Sequence, residues 1–251
     1  MRKVVFLIEE ELKKILRSRY LYVFVVVFVL DIIALLSEYS DRLRSTLYSS
    51  GVHVAGQGMS YLVKHEFGNF GVLVIYLLPL LFIAAPIFAD ESENKILSQI
   101  RVTQNGRMVD SIVKTTLVLG IQFIWMIVFT IFSVVASFGA FDVSIASVGV
   151  HISEILKCII NLMLGCFCMC NIFLFISAWM KKTVSAMGTG FAIIVIPMFI
   201  ETEKLWTHVF PIIGMQAECL QIRSNVENLC VWSAYFFIGM VFLSVNLINN
   251  K

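Results

Sequence analysis

The sequence predicts an all-α membrane protein with six transmembrane helices, and three observations support this fold class. Hydrophobic residues make up 59% of the 251 residues and charged residues only 14%, which is far from the composition of a water-soluble domain. Six apolar stretches each come close to the roughly 20 residues that cross a bilayer as a helix. The segments between them are too short to fold a sizeable soluble core. The predicted spans within one transmembrane domain (residues 1–251) are residues 20–36, 70–89, 117–141, 155–180, 184–200 and 229–248.

Before the first span, residues 1–19 predict an amphipathic helix. Apolar residues recur there at three- and four-residue spacing, and charged residues fill the other positions. We expect this helix to lie along the inner membrane surface, where its basic residues suit anionic lipids. A cytosolic extension of the first span is the alternative. The apolar positions are Val5, Ile8, Leu12, Ile15 and Leu16.

The distribution of Lys and Arg predicts the orientation. With the N-terminus in the cytoplasm, most of the 19 basic residues fall in inner segments, as the positive-inside rule requires, and both termini are cytoplasmic. No small-residue cleavage site follows the first apolar run, so we expect the first span to remain as an anchor. A net charge of +2 without a basic patch gives no indication of nucleic-acid binding.

Between the second and third spans, the sequence predicts a cytoplasmic helix. Asp90 or Ser92 can cap it, and Glu91 and Glu93 then occupy its first turn, where acidic side chains are favourable. Ile96, Leu97 and Ile100 would form its apolar face, and Asn105–Gly106 marks a turn before the third span.

Two other features concern helix shape. Pro79 and Pro86 in the second span and Pro197 in the fifth predict bends. The unusually apolar outer segment 201–228, interrupted by Pro211 and Gly214, predicts short helices on or within the outer interface.

The motifs of the common enzyme classes are missing. The chain contains no Gly-x-x-x-x-Gly-Lys-Ser/Thr loop for ATP, no His-Glu-x-x-His zinc motif and no Gly-x-Ser-x-Gly nucleophile. The pair Glu9–Glu10 precedes the first span and lacks the intramembrane histidines that a diglutamate peptidase would need. We therefore expect no enzymatic activity and no resident metal.

Three polar residues lie inside predicted spans. Asp31 is the one carboxylate well within a span, where charge is costly, so it contacts either a proton or substrate or a neighbouring helix. Asn161 and Asn171 in the fourth span are candidates for the transport pathway, but hydrogen bonds between helices are the favoured interpretation.

The cysteines allow two interpretations. Cys166 and Cys170 share a helix face and could hold a soft metal, although packing is favoured. Cys219 and Cys230 fall in the outer part and could pair, but spacing alone does not determine connectivity.

The order of these elements resembles the permease subunit of a type-2 ATP-binding-cassette transporter over essentially the whole chain. The most specific stretch is Phe-Ala-Asp-Glu-Ser-Glu-Asn-Lys-Ile-Leu at 88–97, followed by Arg107 and Lys114. Such permeases carry an acidic residue after the second span that opens a coupling helix, and then an Arg and a Lys before the third. One departure from the family pattern is the pair Asn94–Lys95, which stands where such permeases commonly have Gly-Thr. The resemblance implies ATPase-coupling roles for Glu91, Glu93, Lys95, Arg101 and Arg107.

The resemblance further implies the partners. Two separately encoded ATPase subunits would bind ATP and magnesium, and a second permease copy, identical or different, would complete a homo- or heterodimer in a bacterial plasma membrane. This chain would then hold no cofactor itself. The abundant Phe and Met residues suit export of a hydrophobic or amphipathic cargo, first of all a peptide such as a toxin or bacteriocin, or one exported for self-immunity. The alternatives are lipid or drug efflux, an ion-coupled transporter using Asp31, and a non-transporting assembly factor.

Overall fold

The computed structural model describes residues 2–17, single positions between 22 and 37, and residues 67–68, 71–94, 106–140, 145–199 and 210–249. All regular structure in these residues is helical. Four helices are long and apolar enough to cross a membrane. The prediction of an all-α, multi-pass membrane protein is therefore confirmed in this part of the chain. The four candidate spans are Ile75–Glu93, Met108–Ile131, Ile152–Trp179 and Asn225–Leu247.

The helices follow the predicted order. Among the described residues they are, in chain order, α1 (Arg2–Arg17), a π-helix (Val72–Leu77), α2 (Leu78–Ala84), α3 (Pro86–Glu93), α4 (Gly106–Ala140), α5 (Ile145–Trp179), α6 (Thr183–Val195), a 3-10 helix (Ile196–Phe199), α7 (Pro211–Gly214), α8 (Ala217–Ile222) and α9 (Asn225–Asn249). The fourth and sixth predicted spans, α5 and α9, are the two most closely associated helices, and α1 packs against α4.

The second span is built from three helical pieces, and the changes between them fall near its prolines. Pro79 has no N–H to give to the carbonyl of Ile75, four residues earlier. The indole Nε1 of Trp125 on α4 donates to that carbonyl instead, at 3.0 Å. Pro86 begins α3, and the Ser177 hydroxyl of α5 accepts the backbone N–H groups of the next turn. Trp125 of the third span thus supplies the donor that Pro79 lacks, and Ser177 adds a contact between spans just after Pro86.

The predicted helix start after the second span is wrong. Residues 90–93 form the last turn of α3, which ends at Glu93 and is capped by Asn94, so the acidic residues close the second span rather than opening a new helix. The local reason is continuity: the backbone N–H of Asn94 still bonds the carbonyl of Asp90, and its side chain donates to the Asp90 carboxylate at 3.1 Å. Ile96, Leu97 and Ile100, the predicted apolar face, lie outside the described residues.

The fifth predicted span is also not one continuous α-helix. Its α-helical part, α6, has 13 residues, and a 3-10 helix that contains Pro197 follows it. Of the first span, the structure describes single positions on one exposed face, such as Val25 and Leu30. Asp31 lies outside the described residues.

Candidate functional site

A buried lysine lies at the centre of a cluster of charges at one end of the helical bundle. Lys114, in the third turn of α4, has no exposed surface, and it forms ion pairs with Glu91 of α3 and with Asp110 one turn earlier. The Lys114–Asp110 pair measures 2.7 Å between Nζ and Oδ2. The ammonium group also lies 5.4 Å from the centre of the Phe88 ring, within the range of a cation–π contact. Lys114 therefore fastens the second span to the third.

The N-terminal helix joins the same cluster. Glu11 is buried although it belongs to α1, and it accepts a 2.5 Å hydrogen bond from Lys14. Lys14 Nζ lies 3.9 Å from Glu91. We call these five residues the charged junction: Glu11, Lys14, Glu91, Asp110 and Lys114.

The protonation of Lys14 follows from its neighbours. Partial burial by itself lowers the pKa of Lys14, but the hydrogen bond with Glu11 and the charges of Glu11, Glu91 and Asp110 outweigh burial. The pKa of Lys14 is raised as a result, so this side chain is fully charged at neutral pH.

Two hydrogen bonds to backbone N–H groups connect the second span to further helices. The Glu93 carboxylate accepts the backbone N–H of Thr183 at 3.0 Å, which satisfies a donor in the first turn of α6. Ser177, near the end of α5, binds the N–H groups of Phe88 and Ala89 at 3.0 and 3.2 Å. The C-terminal end of the second span is thus tied to α1, α4, α5 and α6.

The three carboxylates of the charged junction resemble a cation site in their spacing. One oxygen each from Glu11, Glu91 and Asp110 lies within 4.8 Å of the others. Carboxylate oxygens are the ligands of hard cations such as Ca²⁺ or Mg²⁺. The ammonium groups of Lys14 and Lys114 already bind these carboxylates, however. The arrangement is therefore that of an ion-pair network in which lysines supply the positive charge.

The residues predicted to couple to an ATPase differ in their burial and in their bonding partners. Glu91 is buried in the charged junction, whereas Glu93 is exposed and bonded to Thr183. Arg107 belongs to the first turn of α4, and the structure describes its backbone alone. Lys95 and Arg101 lie outside the described residues.

The two asparagines of the fourth span are brought into different contacts. Asn161 donates to the carbonyl of Gly214 at 2.8 Å and accepts the indole N–H of Trp232 at 2.9 Å, so it connects three parts of the fold. Asn171 donates to Phe167 of its own helix at 2.8 Å, and its carbonyl accepts from Asn246 of α9. Asn161 therefore makes contacts between helices, whereas the Asn171 side chain bonds its own helix and only the backbone carbonyl of Asn171 accepts from α9.

The cysteines are all free thiols. Cys219 is buried and Cys230 is exposed, so the possible pair between them does not form in this structure. Cys166 and Cys170 are both buried in α5. Their burial is consistent with the packing role that the sequence favoured.

Sequence inspection did not single out Glu11 or Ser177. A signal for Glu11 existed, because it lies three residues after Ile8 and four before Ile15, on the apolar side of α1. A carboxylate at such a position indicates a buried partner. Ser177 offers no comparable signal, since its role depends on where the Pro86 bend of another span lies.

The chain was also compared with known proteins. No protein-family model, no curated protein and no solved structure matches it.

Proposed function

We propose that the chain is the transmembrane subunit of an ATP-driven exporter of the ATP-binding-cassette class, and that it moves a hydrophobic or amphipathic cargo, most simply a peptide. It pairs with a second permease copy and with two ATPase subunits, which bind ATP and magnesium. In this proposal the bundle crosses the membrane six times, α1 lies on the inner surface, and the segment between Asn94 and Gly106 contacts the ATPase.

The observation that carries this proposal is the charged junction. In an ATPase-driven permease, the movement of the ATPase at the cytoplasmic surface must be transmitted to the membrane-spanning helices. A buried ion pair resists separation, because breaking it leaves an uncompensated charge at a cost of about 3–5 kcal/mol. Lys114 with Glu91 supports the view that the second and third spans respond together. Glu11 and Lys14 add the surface helix to the same unit.

The charged segment after the junction is the proposed contact surface. Lys95 and Arg101 follow the second span, whose end is bonded to several other helices. A partner that binds these two residues would therefore act on a firmly held part of the bundle. Glu93 has a separate role within the chain, because its carboxylate is bonded to Thr183. A change of Glu93 therefore alters the start of α6 in addition to any contact with a partner.

Co-purification tests the proposal directly. The tagged chain is expressed together with candidate ATPase subunits of the ATP-binding-cassette class, and the retained ATPase and its hydrolysis rate are measured. We expect Arg101→Glu to reduce retention about tenfold, which corresponds to about 1.4 kcal/mol of binding free energy. Arg42→Glu is the matched control, since Arg42 belongs to the predicted outer segment, and it should retain the ATPase fully.

Two results would contradict the proposal. One is wild-type retention of the ATPase by the Arg101→Glu variant with normal transport. The other is transport that stops when the proton gradient is collapsed and continues when ATP is depleted, which would favour an ion-coupled transporter instead.

A further inference from the structure

The N-terminal helix α1 leaves apolar side chains exposed although it packs against the bundle. Leu12 and Leu16, one turn apart, are 38% and 54% exposed. Among the described side chains of α1, the most deeply buried is instead the carboxylate Glu11, with 8% of its surface exposed. The sequence grouped the apolar positions of α1 into a single face, so this division into a buried part and an exposed part is a property of the fold.

Around the helix axis, the side chains of α1 fall into three sectors. Successive residues of an α-helix are turned by about 100°. Glu11 faces the bundle, where its carboxylate lies near those of Glu91 and Asp110. Leu12 and Leu16 point about 100° and 140° away from Glu11. The helix therefore has a bundle side and, next to it, an exposed apolar side.

The charged junction places α1 at the level where two candidate spans end. One carboxylate oxygen of Glu11 lies within 4.8 Å of oxygens of Glu91 and Asp110. Glu91 belongs to the last turn of the candidate span Ile75–Glu93, and Asp110 belongs to the first turn of the candidate span Met108–Ile131. The exposed leucines of α1 are therefore close to the boundary of the hydrocarbon core.

Lipid is the partner that fits this exposed apolar side. A helix in the corner between a bundle and a bilayer surface needs one face for protein, a neighbouring face for lipid and a third face for water. Leu12 and Leu16 supply the face for lipid. The third face carries Lys13, which pairs with Glu9 at 2.9 Å, and the exposed Arg17. Immersion of the whole helix in hydrocarbon would bury these charges at a high cost, whereas basic residues at the surface suit anionic headgroups.

From this arrangement we propose that α1 is a lipid-contact helix in the corner between the bundle and the bilayer surface, with Leu12 and Leu16 in the leaflet and Glu11 in the bundle. The leaflet holds α1 on one side and the charged junction holds it on another, so lipid contact supports the junction. The proposed exporter places this surface on the inner side of the membrane, and the inference rests on that function for the choice of leaflet alone.

Spin labels on single cysteines test where the leucines lie. Cys230 is exposed and the other five cysteines are buried, so Cys230→Ser provides a background with little labelling. Leu12→Cys, Leu16→Cys and, as the matched control, Lys13→Cys are labelled in the full-length chain, which is reconstituted in vesicles of phosphatidylcholine and phosphatidylglycerol. Electron paramagnetic resonance then measures the collision rates of each label with oxygen, which concentrates in lipid, and with a water-soluble nickel chelate.

We expect the ratio of oxygen to nickel collision rates to be about threefold higher at Leu12 and Leu16 than at Lys13, because the leucines lie among acyl chains. Equal ratios at all three positions overturn the proposal, since the leucines and the lysine would then share one environment. Low accessibility of both leucine positions to both reagents also overturns it, because protein rather than lipid would cover them.

Hydrogen exchange tests whether lipid contact holds α1 in place. In the same vesicles, Leu12→Ser with Leu16→Ser should raise the exchange rate of the backbone amides of residues 2–17 about tenfold. Lys13→Ser with Arg17→Ser is the matched control, because leucine, lysine and arginine have similar helix propensities and the introduced residue is the same. The control pair should change the rate much less. Equal increases for the two pairs would contradict a role of lipid in holding α1.

These measurements are independent of any ATPase. Lipid contact at Leu12 and Leu16 in a chain that retains no ATPase would disprove the exporter and keep the lipid-contact helix. Retention of an ATPase by a chain whose two leucines lie in water would do the reverse.

Discussion

The two ends of the bundle are held by different kinds of interaction. At the charged junction, ammonium and carboxylate groups bind one another across α1, α3 and α4, and Glu11, Glu91 and Lys114 are buried. At the other end, in residues 210–223, the Asn161 amide and the Arg223 side chain bind backbone carbonyls. Breaking the buried ion pairs would leave charges unpaired in a medium of low polarity, at a cost of about 3–5 kcal/mol. Breaking the Asn161–Gly214 bond would leave a neutral amide N–H without an acceptor, at a cost of about 1–3 kcal/mol.

The largest expected effect tests the charged junction. Lys114→Met leaves Glu91 and Asp110 without their shared partner, and we expect the free energy of unfolding to fall by about 3–5 kcal/mol. Denaturant unfolding in mixed micelles measures this. The double variant Lys114→Met with Glu91→Gln should recover part of the loss, because one unpaired charge is removed.

Lys157→Met is the control for that experiment. Lys157 is exposed and bonds Asn225 at 3.2 Å near the other end of the molecule, so its replacement should change stability by less than about 0.5 kcal/mol. Equal losses for Lys114→Met and Lys157→Met would contradict the assignment of the charged junction as the rigid end.

An intermediate effect tests the packing of residues 210–223 on α5. Gly165→Ala places a β-carbon against the side chain of Met215, and an overpacked site costs about 1–3 kcal/mol when it cannot relax. We therefore expect the free energy of unfolding to fall by about 1–3 kcal/mol, measured by denaturant unfolding in mixed micelles.

The matched variant is Gly120→Ala on α4, where the added carbon meets nothing within 4 Å. It should raise the free energy of unfolding by up to about 1 kcal/mol, because alanine is the better helix former. Equal unfolding free energies for Gly165→Ala and Gly120→Ala would show that Met215 does not pack tightly against Gly165.

The smallest effect concerns the connection between the second and fourth spans. Ser177→Ala removes the acceptor of the Phe88 and Ala89 N–H groups, and we expect a loss of about 1 kcal/mol. Ser244→Ala is the control, because the exposed Ser244 hydroxyl bonds a carbonyl of its own helix and its loss should be close to zero. Equal unfolding midpoints for the two variants would exclude Ser177 as a structural link.

The apolar pattern predicted most of the helices but not how they end. Runs such as 155–180 and 229–248 predicted helices that the structure shows at Ile145–Trp179 and Asn225–Asn249. The acidic stretch at 90–93 was misjudged, since a capping sequence and a helix that simply continues have the same composition. The hydrogen bonds between Asn94 and Asp90 belong to the second case. The helix of the fifth span is interrupted by a change to 3-10 geometry near Pro197.

By itself, the sequence determined that this is an all-α membrane protein, because hydrophobicity over about 20 residues is a local property that lipid enforces directly. Only the tertiary structure decided that Glu11 joins Glu91, Asp110 and Lys114 in one network through Lys14, and that the Gly214 carbonyl receives donors from both Asn161 and Arg223. Those partners are far apart in the chain, and packing alone brings them within hydrogen-bond distance.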